Sequence, residues 1–103
     1  MSYELMDGVE RNRAHPDTFH IPYAEELDAI KVGFWVKVGA MTPKAHRCEA
    51  ERFWVKVTEV TPEGFKGTVD NDTVLANHHG LRYMDIVSIE RRHVLATMAP
   101  PAQ

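Results

Sequence analysis

A two-residue hydrophobic period begins near residue 34. Phe34, Val36 and Val38 alternate with Trp35 and Lys37, as in a strand with one face in a core. Further strands are predicted, with turn residues between them, over residues 52–60, 65–69, 73–76, 83–89 and 91–98. This spacing predicts a mainly β (α+β) domain, a small SH3-like barrel of five to six short antiparallel strands with a short N-terminal helix.

The segment before the first strand has a helical period instead. Tyr23, Leu27 and Ile30 stand at helical spacing, Pro22 precedes them, and two acidic residues follow Tyr23 in the first turn. Proline and acidic residues are favoured at the start of a helix. Residues 21–30 are therefore predicted to form a short amphipathic helix.

Charge is distributed unevenly along the chain. The formal net charge is −3, yet residues 1–30 hold seven acidic residues and two arginines, and residues 31–103 hold ten basic and eight acidic residues. Residues 1–20 show no period and are predicted to be a loosely ordered acidic leader. Residues 21–98 are predicted to form one domain, and residues 99–103 a tail.

The pentapeptide Phe-Trp-Val-Lys-Val occurs twice, at residues 34–38 and 53–57. Two copies are too few for a repeat array, so we interpret them as two strands of one sheet with the same alternation. Antiparallel pairing with Val36 opposite Val55 would turn the Phe and Val side chains of both copies into the core. The solvent face would then carry Trp and Lys from each strand.

This register also predicts contacts on the solvent face. Trp35 would lie opposite Lys56, and Lys37 opposite Trp54, where each pair could make a cation–π contact worth about 0.5–1 kcal/mol. Such an aromatic and basic surface suits a peptide, a sugar or a nucleic acid base. The predicted partner-binding residues are Trp35, Lys37, Trp54, Lys56, Lys66 and Arg82. The alternative is that the predicted helix covers both tryptophans.

The alternation slips at the end of the second copy. After Val57 the next core-like residue is Val60 rather than Glu59. One extra residue in a strand turns the next core-like side chain back toward the core. A β-bulge is therefore predicted near residues 58–59.

Several segments resemble the YegJ-like family of bacterial proteins. Residues 51–60 carry the Phe-Trp-Val strand, residues 65–72 the Gly-x-x-Asp-Asn-Asp sequence, and residues 81–87 the entry to the last long strand. Residues 30–38 and the preceding helix also fit. The resemblance covers roughly residues 15–95.

The chain departs from the pattern of this family in two ways. Family members commonly have Gly-Asp where this chain has Gly33-Phe34 and Met84-Asp85, and Pro where it has Thr73. The family has no established catalytic residue to carry over. The resemblance thus implies a small β-rich domain that is not an enzyme.

Histidine and cysteine residues are the candidates for metal binding. His46 and Cys48 share a loop, and His78 and His79 share a turn, so together they could supply zinc ligands. Neither Cys-x-x-Cys nor His-x-x-x-His spacing is present. No metal and no other cofactor is therefore predicted.

Other candidate chemistry is equally incomplete. Cys48 with a nearby histidine could imitate a nucleophile and its base, but nothing supplies the third group or the oxyanion donors. Residues 70–72, Asp-Asn-Asp, are better explained by turn chemistry than as half of a cation site. The glycines are scattered, so no phosphate-binding loop is predicted.

These patterns predict a non-catalytic binding or accessory module for a protein or peptide. The alternatives are a nucleic-acid binder, or a mimic whose acidic leader blocks a DNA-binding partner, and least of all a small hydrolase. A lone cysteine fits a reducing compartment. With no signal at the start and only ten uncharged residues at 94–103, the chain is expected to be cytoplasmic, without membrane contact.

Overall fold

The computed structural model describes residues 3–42 and 49–101. The helices are α1 (Gly8–Ala14), α2 (Ala24–Asp28) and α3 (Ala76–His79), with a 3-10 helix over Arg91–His93. The strands are β1 (Trp35–Met41), β2 (Ala50–Val60), β3 (Gly64–Val69), β4 (Ile86–Glu90) and β5 (Ala96–Met98).

All five strands pair antiparallel in one sheet, in the order β4-β3-β2-β1-β5. A mainly β architecture with short helices is therefore confirmed. The predicted register of β1 and β2 is also confirmed, since Val36 pairs with Val55. The register of β2 with β3 shifts between Val57 and Glu59, which is the predicted bulge.

The core lies against the inner face of the sheet. Its strand residues are Val36, Val38, Ala40, Phe53, Val55, Val57, Phe65, Val69, Val87 and Ile89. Ile30 is buried and Leu27 packs partly buried against this cluster, but Tyr23 is 75% exposed. Tyr23 stands at the N-cap, before the first turn of α2, so the predicted apolar stripe of this helix is one residue too long.

The N-terminal segment, residues 3–20, contains a helix where the sequence predicted a loosely ordered leader. Asp7 caps α1 by accepting a hydrogen bond from the Glu10 backbone N–H at 3.0 Å, which also places a negative charge at the helix start. Leu5 forms an isolated antiparallel bridge with Ala40 of β1. The sequence offers no period here, because the order comes from contacts with a strand far along the chain.

A second apolar cluster lies on the opposite side of the sheet from the core. Met6 and Leu95 are buried but stand apart from the main cluster. A Cβ on Gly39 of β1 would meet both of them, at 3.4–3.6 Å. Gly8 lets α1 approach closely, since a Cβ there would come within 2.9 Å of Leu95. The N-terminal segment thus covers one end of the outer side of β1.

A side chain links the β4 edge to the N-terminal segment. The Tyr3 hydroxyl accepts a hydrogen bond from the Ser88 backbone N–H at 2.8 Å. Strand pairing leaves β4 and β5 as edges among the described residues. The Tyr3 hydroxyl therefore covers part of an edge that would otherwise invite pairing with another chain.

Residues 73–76 do not form the strand that was predicted. The backbone N–H groups of Val74 and Leu75 each donate to the Glu51 carboxylate at 2.8 Å rather than to a neighbouring strand. Helix α3 starts at the next residue, Ala76. The Thr73 hydroxyl donates to the Leu81 carbonyl at 2.7 Å and fixes the other side of this loop.

The last two strands are shorter than predicted. Residues 82–85 form a turn closed by a 3.0 Å hydrogen bond from the Asp85 N–H to the Arg82 carbonyl. Met84 within it has a φ of +73°, which is incompatible with a strand. In the final segment, the 3-10 helix occupies the first residues that were predicted as strand, before β5 begins.

Among residues 3–42 and 49–101, no helix combines the length and the apolar character that crossing a bilayer requires.

Replacing Met84 with Gly should raise the free energy of unfolding by about 0.5–1 kcal/mol. Glycine avoids the cost of about 1–2 kcal/mol that the left-handed conformation imposes on other residues. It also loses about 0.5–1 kcal/mol more chain entropy on folding, which cancels part of this gain. Urea denaturation measures the change. Gly33→Ala is the matched control. Gly33 has a φ of +97° and no atom within 4 Å of an added Cβ, so this variant should have a free energy of unfolding about 1 kcal/mol lower, from backbone strain alone. A destabilised Met84→Gly variant would contradict this account of the turn.

Candidate functional site

The outer face of the sheet carries aromatic and basic side chains in alternation. Trp35 pairs with Lys56, and Lys37 with Trp54. The Lys56 ammonium lies 5.4 Å from the centre of the Trp35 ring, and the Lys37 ammonium lies 5.0 Å from that of Trp54. Both predicted cation–π contacts are therefore present. We call these four residues the tryptophan–lysine ladder.

The repeated pentapeptide explains why this ladder forms. When two identical copies pair antiparallel about their central valines, the residue before the centre of one faces the residue after the centre of the other. Trp and Lys hold those two positions, so every outward pair is one aromatic and one cation. Like-charged and doubly aromatic pairs are avoided at both rungs.

The turn at residues 70–72 anchors both tryptophans. The Trp35 indole N–H donates to the Asp70 carboxylate at 2.7 Å. The Asn71 side-chain oxygen accepts from the backbone N–H of Trp54 at 2.5 Å, and the Asp70 N–H donates to the Trp54 carbonyl at 2.8 Å. These polar groups thus hold the Trp35 ring and the backbone of Trp54 in place.

Both tryptophans are half-buried, and Lys56 is exposed. The alternative interpretation placed them under the predicted helix. In the structure, that segment directs Leu27 and Ile30 into the core cluster on the inner face. Part of each tryptophan side chain therefore stays accessible to solvent.

The N-terminal segment adds one more contact between an aromatic ring and a cation to the outer face, next to the ladder. Arg52 precedes the ladder residues on the outer face of β2, and its guanidinium lies 5.5 Å from the centre of the Phe19 ring. The Asn12 side chain donates to the Phe19 carbonyl at 2.7 Å. Asp7 also pairs with Arg92 at 2.9 Å. The N-terminal segment therefore folds back on the rest of the domain.

Two exposed apolar residues flank the ladder. Met98 of β5 pairs with Trp35, and on the other side Lys56 pairs with Thr68, which pairs with Ile86 of β4. These five residues form one row across the whole sheet. Met98 is 47% exposed and Ile86 is 67% exposed. The sequence did not reveal this row, although the outward alternation of β2 and β4 was visible in it.

The two remaining predicted site residues are placed differently. Lys66 is exposed on the same face, where it pairs with Glu59 and stands two residues before Thr68 on β3. Arg82 lies in the turn before β4, and its guanidinium donates to the Asn77 side chain at 3.3 Å. The structure therefore brings five of the six predicted residues to one face and puts Arg82 on a loop.

The buried histidine His79 has a structural partner. Its Nδ1 accepts from the Leu81 N–H at 3.0 Å, so Nε2 carries the proton and donates to the Glu51 carboxylate at 2.8 Å. Burial raises the pKa of Glu51, but hydrogen bonds from His79 and from the Val74 and Leu75 N–H groups outweigh burial and hold that pKa below its usual value. This cluster fixes the loop between β3 and β4.

The other metal-ligand candidates give no cluster. His78 is exposed on α3, while His46 and Cys48 lie outside the described residues. Within the described ranges, no three histidine, cysteine or acidic residues are grouped so that they could hold a metal ion.

An open groove of about 690 Å³ lies between the N-terminal segment and the 3-10 helix. Its arginines are paired, Arg11 with Glu49 and Arg92 with Asp7. His93 is buried beside them, and burial together with the nearby Arg92 lowers its pKa. These pairs attach the N-terminal segment to the body of the protein.

No protein-family model, curated protein or solved structure matches the chain. The resemblance to the YegJ-like family stays a prediction from the residues. Because no matching protein supplies a function, the chemistry of the outer face is the basis for assigning one.

Lys37 and Trp54 should show a coupling energy of about 0.5–1 kcal/mol in a double-mutant cycle with Lys37→Met and Trp54→Leu. Lys37→Met removes the cation and retains a long apolar stem, and Trp54→Leu removes the aromatic ring and retains an apolar side chain. Urea denaturation of the four proteins gives the coupling. A second cycle that pairs Lys66→Met with Trp54→Leu is the control and should give a coupling near zero. Equal values in the two cycles would contradict a specific contact.

Proposed function

We propose that this chain is a non-catalytic binding module that recognises a protein or a peptide on the outer face of its sheet. The observation that carries the proposal is the tryptophan–lysine ladder, four partly or fully exposed residues held in one arrangement. A surface whose side chains are fixed before binding loses less entropy when a partner arrives.

A peptide fits this face better than a nucleic acid base does. Bases stack on open aromatic ring faces, whereas an ammonium lies over each tryptophan ring. The cations offer charged donors to an acceptor-rich chain, and Met98 and Ile86 offer apolar contacts at either side. Nucleic acid is the second candidate, because the face is basic and includes Lys66, and basic side chains attract phosphates. Single-stranded DNA is therefore one arm of the test.

The two histidines that are buried within residues 3–42 and 49–101 support a role without catalysis. His79 and Glu51 hold each other and the neighbouring backbone. Nδ1 of His93 accepts a hydrogen bond from the Glu90 N–H at 3.1 Å. Both histidines are thus engaged in fixing a loop or a helix. The lone Cys48 favours the cytoplasm as the place of action.

We also propose an SH3-like barrel within the YegJ-like family. Three features support the barrel: β5 returns to β1, the 3-10 helix precedes β5, and Tyr3 links the β4 edge to the N-terminal segment. Gly33 and Met84 both have positive φ. Those are the positions where family members commonly have Gly, the residue that tolerates this conformation best.

Selection from a random peptide library and from a random single-stranded DNA pool tests the proposed function. The wild-type chain should enrich peptides, and the double variant Lys37→Met/Lys56→Met should bind the enriched peptides at least about tenfold more weakly, a loss of about 1.4 kcal/mol. Arg13→Gln/Arg91→Gln, which also removes two positive charges from exposed or half-buried positions, should bind as wild type does.

Enrichment of DNA in place of peptides would overturn the proposal in favour of the second candidate. Enriched peptides that bind the ladder variant as tightly as wild type would also overturn it, because the site would lie elsewhere.

A further inference from the structure

We infer that the outer face takes an acidic, extended peptide segment with an apolar residue near each end. This inference rests on the proposed binding function and adds the chemistry of the partner. It is carried by the row that crosses all five strands, which has exposed apolar residues at its ends and Lys56 at its centre, with Lys37 in the neighbouring row.

The dimensions of the row set the length of the segment. Met98 and Ile86 stand on the two edge strands, four interstrand spacings apart. At about 4.8 Å per spacing this is roughly 19 Å along the sheet, and an extended chain covers it with about six residues. The two apolar contacts are thus separate anchors and not one continuous patch.

The centre of the face is basic. Lys37 and Lys56 hold their ammonium groups over the tryptophan rings, so their positions are fixed while the charges remain available. Two acidic residues stand beside them: Asp70, which accepts from the neutral Trp35 indole, and Glu59, which stands opposite Lys66. The cations of this face outnumber these two carboxylates, since Lys66 and Arg52 stand on it as well. Carboxylates in the middle of the segment would therefore meet net positive charge.

The chain itself provides a precedent for this mode of binding. Its N-terminal segment lies against the outer face at Arg52, where the Phe19 ring packs on the guanidinium. Phe19 follows Asp17 by two residues in the chain. An aromatic side chain from another segment of the chain therefore already packs on a cation at the adjoining end of the face. A partner segment would continue the same arrangement over Trp35 and Lys56.

The probe for the test is a peptide with the core Leu-Ser-Glu-Glu-Ser-Leu in a Gly/Ser context, added to ¹⁵N-labelled full-length protein. Nuclear magnetic resonance should show shifts at Trp35, Lys56, Thr68, Ile86 and Met98, and about tenfold tighter binding than for a peptide with four central serines. A core with two lysines in place of the glutamates should bind more weakly still. Raising the salt concentration should weaken binding of the acidic peptide, because exposed charges are screened.

Variants separate the two parts of the proposed recognition. Lys37→Met/Lys56→Met should remove the preference for the acidic peptide over the serine peptide, and Ile86→Ser/Met98→Ser should weaken both peptides about equally. Ile86 and Met98 are exposed, so the second variant should keep its fold, and circular dichroism checks this. Arg13→Gln/Arg91→Gln is the charge-matched control and should bind as wild type does.

Equal binding of the acidic and serine peptides would overturn the inference. If peptides selected from the random library depend on the ladder but have neutral or basic centres, the proposed function stands and only the acidic partner is wrong. If no peptide binds and an oligothymidine does, both the inference and the proposed function fail.

Discussion

The rest of the structure depends on the pairing of β1 with β2 in a single register. Side chains alternate between the faces of a strand, so a slip by one residue would exchange the core and the outer face. In the observed register, Val36 and Val55 are fully buried. A slip would bring Trp35 and Lys37 into their place, and burying an unpaired ammonium is strongly unfavourable. Core packing therefore selects the register.

The same register assembles the candidate site. The valines point inward, so the tryptophans and lysines of both copies point outward, and each meets its opposite kind. The turn at residues 70–72 and the N-terminal segment are then attached to this pair of strands, through Trp35 and Trp54 on one side and Arg52 on the other. The core and the candidate site thus depend on one set of backbone hydrogen bonds.

Local periodicity predicted the parts of the structure that local residues decide. The β1–β2 register and the bulge near residues 58–59 follow from alternation alone. Helix α1 and the loop at residues 73–76 were missed, because Leu5 and Glu51 fix them through partners distant in sequence. Four ladder residues were predicted, but the flanking Met98 and Ile86 became visible only once the sheet order was known.

Quenching of tryptophan fluorescence by iodide and by caesium tests most directly whether the outer face is an accessible basic surface. The chain has only two tryptophans, both in the ladder, so the emission reports on this site alone. Each quenching constant is divided by that of free N-acetyltryptophanamide, because iodide is the more efficient quencher of any indole. The account predicts that this ratio is higher for iodide than for caesium, because the lysines attract anions, and that Lys37→Met/Lys56→Met reduces the difference. Emission that neither ion quenches, or a higher ratio for caesium, would contradict it.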